Sequence, residues 1–304
     1  MKTLQTFLIT GANAGQGLEL ARAALHANHK VIATARNVHR AQSECPDIST
    51  LGGIWLQLDV TQPDCQQIVS NAVQTHNVTI LINNAGYGLR GPVEDLSMPQ
   101  IRAQMETNFF GALACTKAVI PHFRSHPDRT TIVQISSASA LTGTPSQSLY
   151  SASKFALEGA SESIAAELAP FNIRILLVEI GALRTDFQLA VQKPLDAMSE
   201  AYRGTPADLA ARRITAAHGR QDGDPVKCAK AIVNVVTGIS GPWDRGGERM
   251  GEVFRLMLGR DTLVRADSKI KSLIDDTERC RASGVATYCS FGEKWDGYPP
   301  LDEE

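Results

Sequence analysis

Short β-branched apolar runs alternate with longer amphipathic stretches through the first half of the chain. The runs Leu4 to Thr10, Lys30 to Arg36, Ile54 to Leu58, Val78 to Asn83, Thr130 to Ser136 and Ile173 to Glu179 read as strands. They are apolar at successive rather than alternate positions, as expected of strands covered by helices on both faces. Helical spacing predicts helices over Gly17 to Ala27, Asp64 to Thr75, Met98 to Phe123 and Leu149 to Leu168, with Pro127 and Pro170 placed just beyond two of the ends. Strands alternating with crossover helices require a mostly parallel sheet. The expected class is therefore α/β, a doubly wound, Rossmann-like single domain.

The pattern loosens after residue 185. Gln188 to Asp224 mixes Pro, Gly and charge without a clean period, which predicts a mobile lid. A further helix is predicted over Val226 to Val236, then a turn-rich stretch over Gly238 to Gly247. Leu263, Ala266, Ile270, Leu273, Ile274 and Thr277 recur at helical spacing, and this stripe is expected to pack on the body. The organisation so read is a catalytic domain over residues 1–250, including a substrate lid at about 186–225, and a C-terminal helical extension over 251–304.

Composition narrows the partners. With 304 residues, 43% hydrophobic and 20% charged, the chain has a globular balance. Thirty Lys and Arg against 32 Asp and Glu, a net charge of -2, leave no basic block to track nucleic acid or an anionic membrane. Cys45, Cys65, Cys115, Cys228, Cys280 and Cys289 form no C-x-x-C pair, so reduced thiols are expected rather than a zinc knuckle or a disulfide scaffold. No apolar run is long enough to span a membrane, and Leu4 already opens a strand, leaving no room for a cleavable signal. A soluble, cytoplasmic protein is the expectation.

The first candidate chemistry lies at the end of the first strand, in Thr10-Gly11-Ala12-Asn13-Ala14-Gly15-Gln16-Gly17. Glycines there let the backbone turn tightly and approach a pyrophosphate, whose charge exposed N–H groups and a helix dipole stabilise. The spacing G-x-x-x-G-x-G differs from the G-x-G-x-x-G fingerprint, and an ordinary strand-to-helix turn is the alternative. The second strand ends in Thr34-Ala35-Arg36-Asn37 without the carboxylate that would select NAD. Arg36 is suited to pair with a 2′-phosphate, pointing to NADP(H), unless it is a solvated surface side chain. Asp59 and the run Asn83-Asn84-Ala85-Gly86 fall at the same carboxyl edge, where ligands of open α/β sheets collect.

The second constellation is Ser136-Ser137 after the fifth strand, with Tyr150 and Lys154 opening a helix. Tyr150 and Lys154 are one turn apart on one helical face. An ammonium there is expected to draw the phenol's pKa down from about 10 and fit it to exchange protons with an alcohol or carbonyl oxygen, while Ser137 holds that oxygen.

These residues together resemble the short-chain dehydrogenase/reductase family. The resemblance rests on Thr10-Gly11, Gly15, Gly17, Asn83-Asn84-Ala85-Gly86, Asn108, Ser137, Tyr150 and Lys154, and spans about residues 4–186. The run from Tyr150 to Gly159 is most similar to the branch of 17β-hydroxysteroid dehydrogenases and related ketone reductases. The resemblance implies that Tyr150 is the general acid or base, that Lys154 lowers its pKa and binds the nicotinamide ribose, and that Ser137 polarises the carbonyl. It also implies that Asn108 holds a relay water, that Thr185 meets the nicotinamide carboxamide, and that the chain forms a homodimer or homotetramer. Asn13, Asn83, Ala85 and Gly86 would line the dinucleotide with the three glycines.

Two departures stand out. Ile180-Gly181 replaces the family's usual Pro-Gly, and Gln16 replaces an apolar residue. The expected function is NADPH-dependent reduction of the ketone of a bulky lipophilic molecule (steroid-, polyketide- or terpenoid-like) to a secondary alcohol, or the reverse. The alternative is a nucleotide-binding member with a scaffold or sensor role. His122 and His126 lack a third ligand or an H-E-x-x-H pattern, so no metal is expected. The serines lack a G-x-S-x-G elbow. Trp243, Arg245, Glu248 and Arg249 are candidates for a substrate mouth or subunit contact.

Overall fold

The computed structural model describes residues 4–188, 191, 193–194, 197–241 and 253–284. The four residues Trp243, Arg245, Glu248 and Arg249 lie outside them. Among the described residues the strands are β1 (Thr6–Ile9), β2 (Lys30–Ala35), β3 (Ile54–Gln57), β4 (Ile80–Asn83), β5 (Thr130–Ile135), β6 (Ile173–Ile180) and β7 (Arg255–Leu258). They form one parallel sheet in the order β3-β2-β1-β4-β5-β6-β7. The order reverses between β1 and β4, where a doubly wound sheet opens a crevice at its carboxyl edge.

The continuous apolar runs follow from burial on both faces. Phe7, Ile9, Val31, Ala33, Ile80 and Ile82 pack on one side with helices α1 (Gly15–His26) and α9 (Pro225–Val236), through Leu20, Ala21, Ile232 and Val233. Leu8, Ile32, Leu81 and Ile132 pack on the other with helices α4 (Cys65–His76) and α6 (Gly111–Ser125), through Val69, Val73, Val119 and Phe123. Helix α7 (Ser148–Leu168) lies against β6 on that second side, with Leu168 in the same cluster.

Several elements differ from the sequence-based expectation. Two short helices, α2 (Val38–Glu44) and α3 (Pro46–Thr50), fill the connection from β2 to β3, capped by the Asn37 side chain and opened by Pro46. The expected helix Met98 to Phe123 is interrupted: α5 (Met98–Met105) passes through a π-helical turn (Glu106–Phe110) into α6. Eleven residues of the expected lid form a helix, α8 (Pro206–Ala216), where Pro206 follows Thr205 as a helix-opening pair. The segment read as a helical extension first supplies β7, and only then α10 (Arg260–Ser283). β7 is short, and two of its four residues, Arg255 and Met257, are not the β-branched or aliphatic type that marks a strand in sequence.

The apolar stripe on α10 is not packed on the body as expected. Ala266 and Thr262 are buried, whereas Leu263, Ile270, Leu273 and Ile274 are each more than half exposed. A helix of 24 residues is about 36 Å long, and only its first turns reach the sheet.

Candidate active site

A cleft of about 1270 Å³ runs along the carboxyl edge of the sheet. Of the residues singled out in sequence, Gly11, Asn13, Gly15, Gly17, Arg36, Asp59, Ala85, Gly86, Ser137, Tyr150, Lys154 and Thr185 all line it.

The glycine turn is built by close backbone approach. Gly11 and Gly15 have positive φ, +63° and +53°, which side chains with a Cβ disfavour. At Gly17 the constraint is space, because a Cβ would lie 2.3 Å from the Gly11 carbonyl oxygen and 2.4 Å from Asn84 Nδ2. Asn84 donates to the carbonyls of Thr10 (2.9 Å) and Gly11 (3.1 Å), and Thr10 Oγ1 accepts from the backbone N–H groups of Asn84 and Ala85, both at 2.9 Å. Thr10 and Asn84 thus stitch the ends of β1 and β4 across the switch point. The residues fit a dinucleotide: a turn held open by glycine, the start of α1 behind it, and Arg36 exposed on the cleft wall after β2.

Asn83 is the residue that the structure moves away from the cleft. Side chains alternate along β4, and Asn83 shares the face of Leu81, pointing into the layer beneath the sheet. Its amide donates to the Ala112 carbonyl, Thr116 Oγ1 and Gln134 Oε1. The two-residue period of a strand already carries that signal.

Asn108 is likewise set back. It sits in the π-helical turn, buried, with Oδ1 accepting from Tyr87 N (3.1 Å) and Nδ2 donating to Tyr87 O (3.0 Å) and Ser153 Oγ (3.1 Å). Ser153 in turn donates to the Tyr150 carbonyl at 2.7 Å. Asn108 therefore joins the loop after β4 to the first turn of α7, immediately behind Gly86. An extra residue in a helical turn is what aims its amide there.

Three consecutive residues at the end of β5 serve three different partners. The Ile135 carbonyl accepts from Lys154 Nζ at 2.7 Å. Ser136 Oγ donates to Glu158 Oε1 at 2.5 Å. Ser137 Oγ accepts from Ser139 N at 3.1 Å, capping a short turn, and is near enough to the Tyr150 hydroxyl to act on its pKa. Tyr150, Lys154 and Glu158 follow one another on α7 at helical spacing, all buried, so strand and helix meet residue for residue.

The electrostatics differ from the expectation. Burial pushes the Tyr150 phenol above its ordinary value, and the hydrogen bond with Ser137 is the opposing influence; Lys154 does not pull it down. Lys154 is itself pushed down to about 8 by burial, with the charge of Glu158 acting in the other direction. In this environment Tyr150 is a neutral phenol, fit to give a proton rather than to take one.

Sequence reading missed the group behind Lys154. Arg255 of β7 bonds Glu158 (2.5 Å), fully buried Glu179 of β6, and half-exposed Glu162 of α7. Burial, and after it the neighbouring Glu158, hold Glu179 above the usual carboxylate range. No motif announces such a cluster, because its members are separated by up to 97 positions.

Ile180 and Gly181 also acquire a reason. Ile180 carries β6 one residue further and pairs with Leu258 of β7, and Gly181 N donates to the Leu258 carbonyl at 2.8 Å. A Cβ on Gly181 would lie 1.9 Å from Asp261 Oδ1, so the first turn of α10 is packed directly on this turn. Thr185 Oγ1 accepts from Phe187 N at 3.3 Å, and the Phe187 ring lies 5.9 Å from that of Tyr150. Arg90, a buried guanidinium, joins Gln188 (2.5 Å) to Thr215 of α8 (3.0 Å), donating to both.

Residues 5–196 match the family model for short chain dehydrogenase. Oxidoreductase claN from Passalora fulva is 47% identical over 209 residues, covering 68% of this chain and 94% of that one. Retinol dehydrogenase 8 from Bos taurus is 36% identical over 262 residues, 79% of this chain and 80% of that one. A solved short-chain dehydrogenase from Streptomyces avermitilis superposes with a TM-score of 0.80 at 29% identity, covering 95% of this chain and all of that one. The chain belongs to the short-chain dehydrogenase/reductase family of oxidoreductases.

Proposed function

We propose that this oxidoreductase uses NADPH to reduce the ketone of a lipophilic small molecule to a secondary alcohol, in the manner of the 17β-hydroxysteroid dehydrogenase branch. The observation that carries the reading is the Ser137 and Tyr150 hydroxyl pair at the wall of the cleft that also holds the glycine turn. When bound, a reduced nicotinamide dinucleotide supplies the hydride to the carbonyl carbon. Ser137 and Tyr150 converge on the carbonyl oxygen and Tyr150 gives it the proton, while Lys154, one turn further along α7, lines the same cleft with its ammonium held on the Ile135 carbonyl.

The substrate side of the cleft supports an apolar ligand, since Leu183, Phe187, Ile214 and Ala217 line it. The likeness to a protein named as a retinol dehydrogenase is in keeping with this. The segment at about 186–225 serves as the lid, held by Arg90. Arg36, exposed beside the glycine turn with Asp59 turned toward Thr61, supports NADPH over NADH through its charge on the 2′-phosphate.

The test is NADPH consumption over a panel of ketones. Tyr150→Phe is expected to lower kcat by about a thousandfold, within the range of a lost general acid, while NADPH still binds. Undiminished turnover by this variant on an accepted ketone would remove the assignment. Arg36→Ala is expected to weaken NADPH by roughly tenfold or more relative to NADH, the loss of one charge-assisted contact; equal weakening of both dinucleotides would overturn the NADPH preference.

A further inference from the structure

The C-terminal helix contributes two charged side chains, Asp261 and Arg265, to the wall of the cleft. They stand one helical turn apart, the spacing at which an acid and a base ordinarily pair. Here they do not. Asp261 Oδ2 accepts from Ala182 N at 2.9 Å, and its other oxygen is seated against Gly181. Its carboxylate is thereby committed to the turn after β6.

Among the described residues, Arg265 is left with neutral partners only. Its Nη1 donates to Thr144 Oγ1 (2.8 Å), to Thr142 Oγ1 (3.1 Å) and, at 3.4 Å, to the Thr142 carbonyl. All three lie on the loop between Ser137 and Tyr150. That loop is short of slack: Gln147 N donates to the Thr144 carbonyl, and Ser151 N to the Gln147 carbonyl, in the first turn of α7. The guanidinium is therefore fixed in place on the substrate side of the catalytic pair, on the wall that carries Gln147 and Ser139.

Only one nitrogen of the fork is used. Among the described residues, Nε and Nη2 meet no acceptor and no carboxylate lies within ion-pair distance. Asp186 lines the same cleft from the turn after Thr185 and makes no ion pair with Arg265, and the other arginine of this region, Arg184, is tied to the Gln221 carbonyl. The Nε and Nη2 edge of a guanidinium presents two parallel N–H groups, whose natural complement is the two oxygens of a carboxylate. A half-buried, immobilised cation with that edge unfilled is a receptor for an acid.

We propose that Arg265 is a specificity residue that binds a carboxylate carried by the substrate, so that the preferred ligand is a keto acid with an apolar body rather than a wholly neutral lipid. This rests on the reading of the cleft as a ketone reductase site and narrows its substrate class. The apolar wall of Leu183, Phe187, Ile214 and Ala217 receives the body of such a molecule, and Arg265 its acidic end. The half-reaction at the carbonyl is unchanged, with hydride to carbon and the Tyr150 proton to oxygen, and the carboxylate takes no part in the redox step.

The experiment compares aryl keto acids of three chain lengths with their methyl esters, measuring kcat/KM with NADPH for the wild type, Arg265→Gln and Arg265→Lys. Separately, the dissociation constant of each acid is measured by calorimetry on the NADP-loaded protein. The wild type is expected to prefer at least one acid over its ester. In Arg265→Gln that acid-to-ester ratio should fall by 10- to 100-fold, the range for a charge-assisted bidentate contact. Arg265→Lys should recover part of it, keeping the charge and losing the fork.

A wild type that prefers every ester, or an Arg265→Gln variant that loses acid and ester in equal proportion, would show Arg265 to be a fastening for the 142–144 loop and overturn the proposal. Should no ketone of either kind be consumed, the ketone-reductase reading fails. Calorimetry then decides on Arg265 alone: acid binding that is weakened in Arg265→Gln supports the receptor, and binding that is absent or unaltered overturns it.

Discussion

The two halves of the cleft are made of different material. The half proposed for the dinucleotide is mostly backbone: Gly11, Gly15 and Gly17 after β1, held to the end of β4 by the Thr10 and Asn84 side chains through four hydrogen bonds between 2.9 and 3.1 Å. The half proposed for the substrate is side chain, with Arg90 reaching to Gln188 and Thr215, Asp261 to Ala182, and Arg265 to Thr142 and Thr144. Glycine backbone pinned between two strand ends leaves little room for exchange, and only Thr10 and Asn84 hold it with their side chains. Fastenings made by long side chains on loops can be exchanged one at a time. One half suits the dinucleotide proposed for it, and the other a substrate that can differ between relatives.

The sharpest way to break the contrast is to put a side chain into the backbone half. Gly17→Ala would set a Cβ 2.3 Å from the Gly11 carbonyl oxygen, a clash with rigid backbone on one side and the Asn84 amide on the other. We expect loss of detectable dinucleotide binding and a destabilisation of about 1–3 kcal/mol, read by NADPH fluorescence titration and thermal unfolding. An alanine variant that still bound NADPH normally would show the turn to be far more yielding than its contacts imply.

The junction of the halves, at Lys154, should respond to charge rather than shape. Glu158→Gln removes the charge that opposes the depression of Lys154 by burial, so the ammonium is lost at a lower pH. The alkaline limb of the pH–rate profile is expected to move acidward by about one unit. Stability should carry the same signature. Lys154 titrates at about 8 when folded against an ordinary 10.5, so its burial opposes folding below pH 8. That opposition fades as pH rises from 8 to 10.5, where the unfolded chain binds the extra proton. Denaturation midpoints measured across this window should show a gain in the wild type that Lys154→Met lacks.

The smallest effect is expected in the side-chain half. Arg90 is buried without a carboxylate among the described residues, and its Nε has no partner. Arg90→Met should leave global stability within about 1 kcal/mol, since an apolar chain replaces a costly buried cation. KM is expected to rise a few-fold and proteolysis between residues 188 and 215 to quicken, because the link from Arg90 to Gln188 and Thr215 is gone.

Much of the backbone half could be read in sequence, and much of the other half could not. Glycine spacing after an apolar run signals a turn whose cause is local, and Gly11, Gly15 and Gly17 lie where expected. Tyr150 and Lys154 were legible because four residues along a helix is also a local relation. Asn83 was misread by treating a run of four polar and small residues as one surface, when strand alternation sends the first of them inward. The phenol's pKa was misjudged in direction, since spacing shows that Lys154 is near but not that both groups are buried. β7 was missed because four residues with an arginine at the front carry no strand pattern, although that arginine is what the interior of β6 requires. Relations between distant positions, such as Glu158 with Arg255 or Asp261 with Gly181, leave no trace in local periodicity.

The return of the chain to the sheet at β7 also orders events during translation. The glycine turn and Arg36 leave the ribosome early, and β1, β2 and β4 can assemble around them while most of the protein is still unmade. Glu158 and Glu179 then face each other without their shared guanidinium until residue 255 emerges. A nascent chain thus owns its glycine turn long before its interior can neutralise two adjacent carboxylates, and the final fifth of the polypeptide, though remote from that turn, supplies the guanidinium they share.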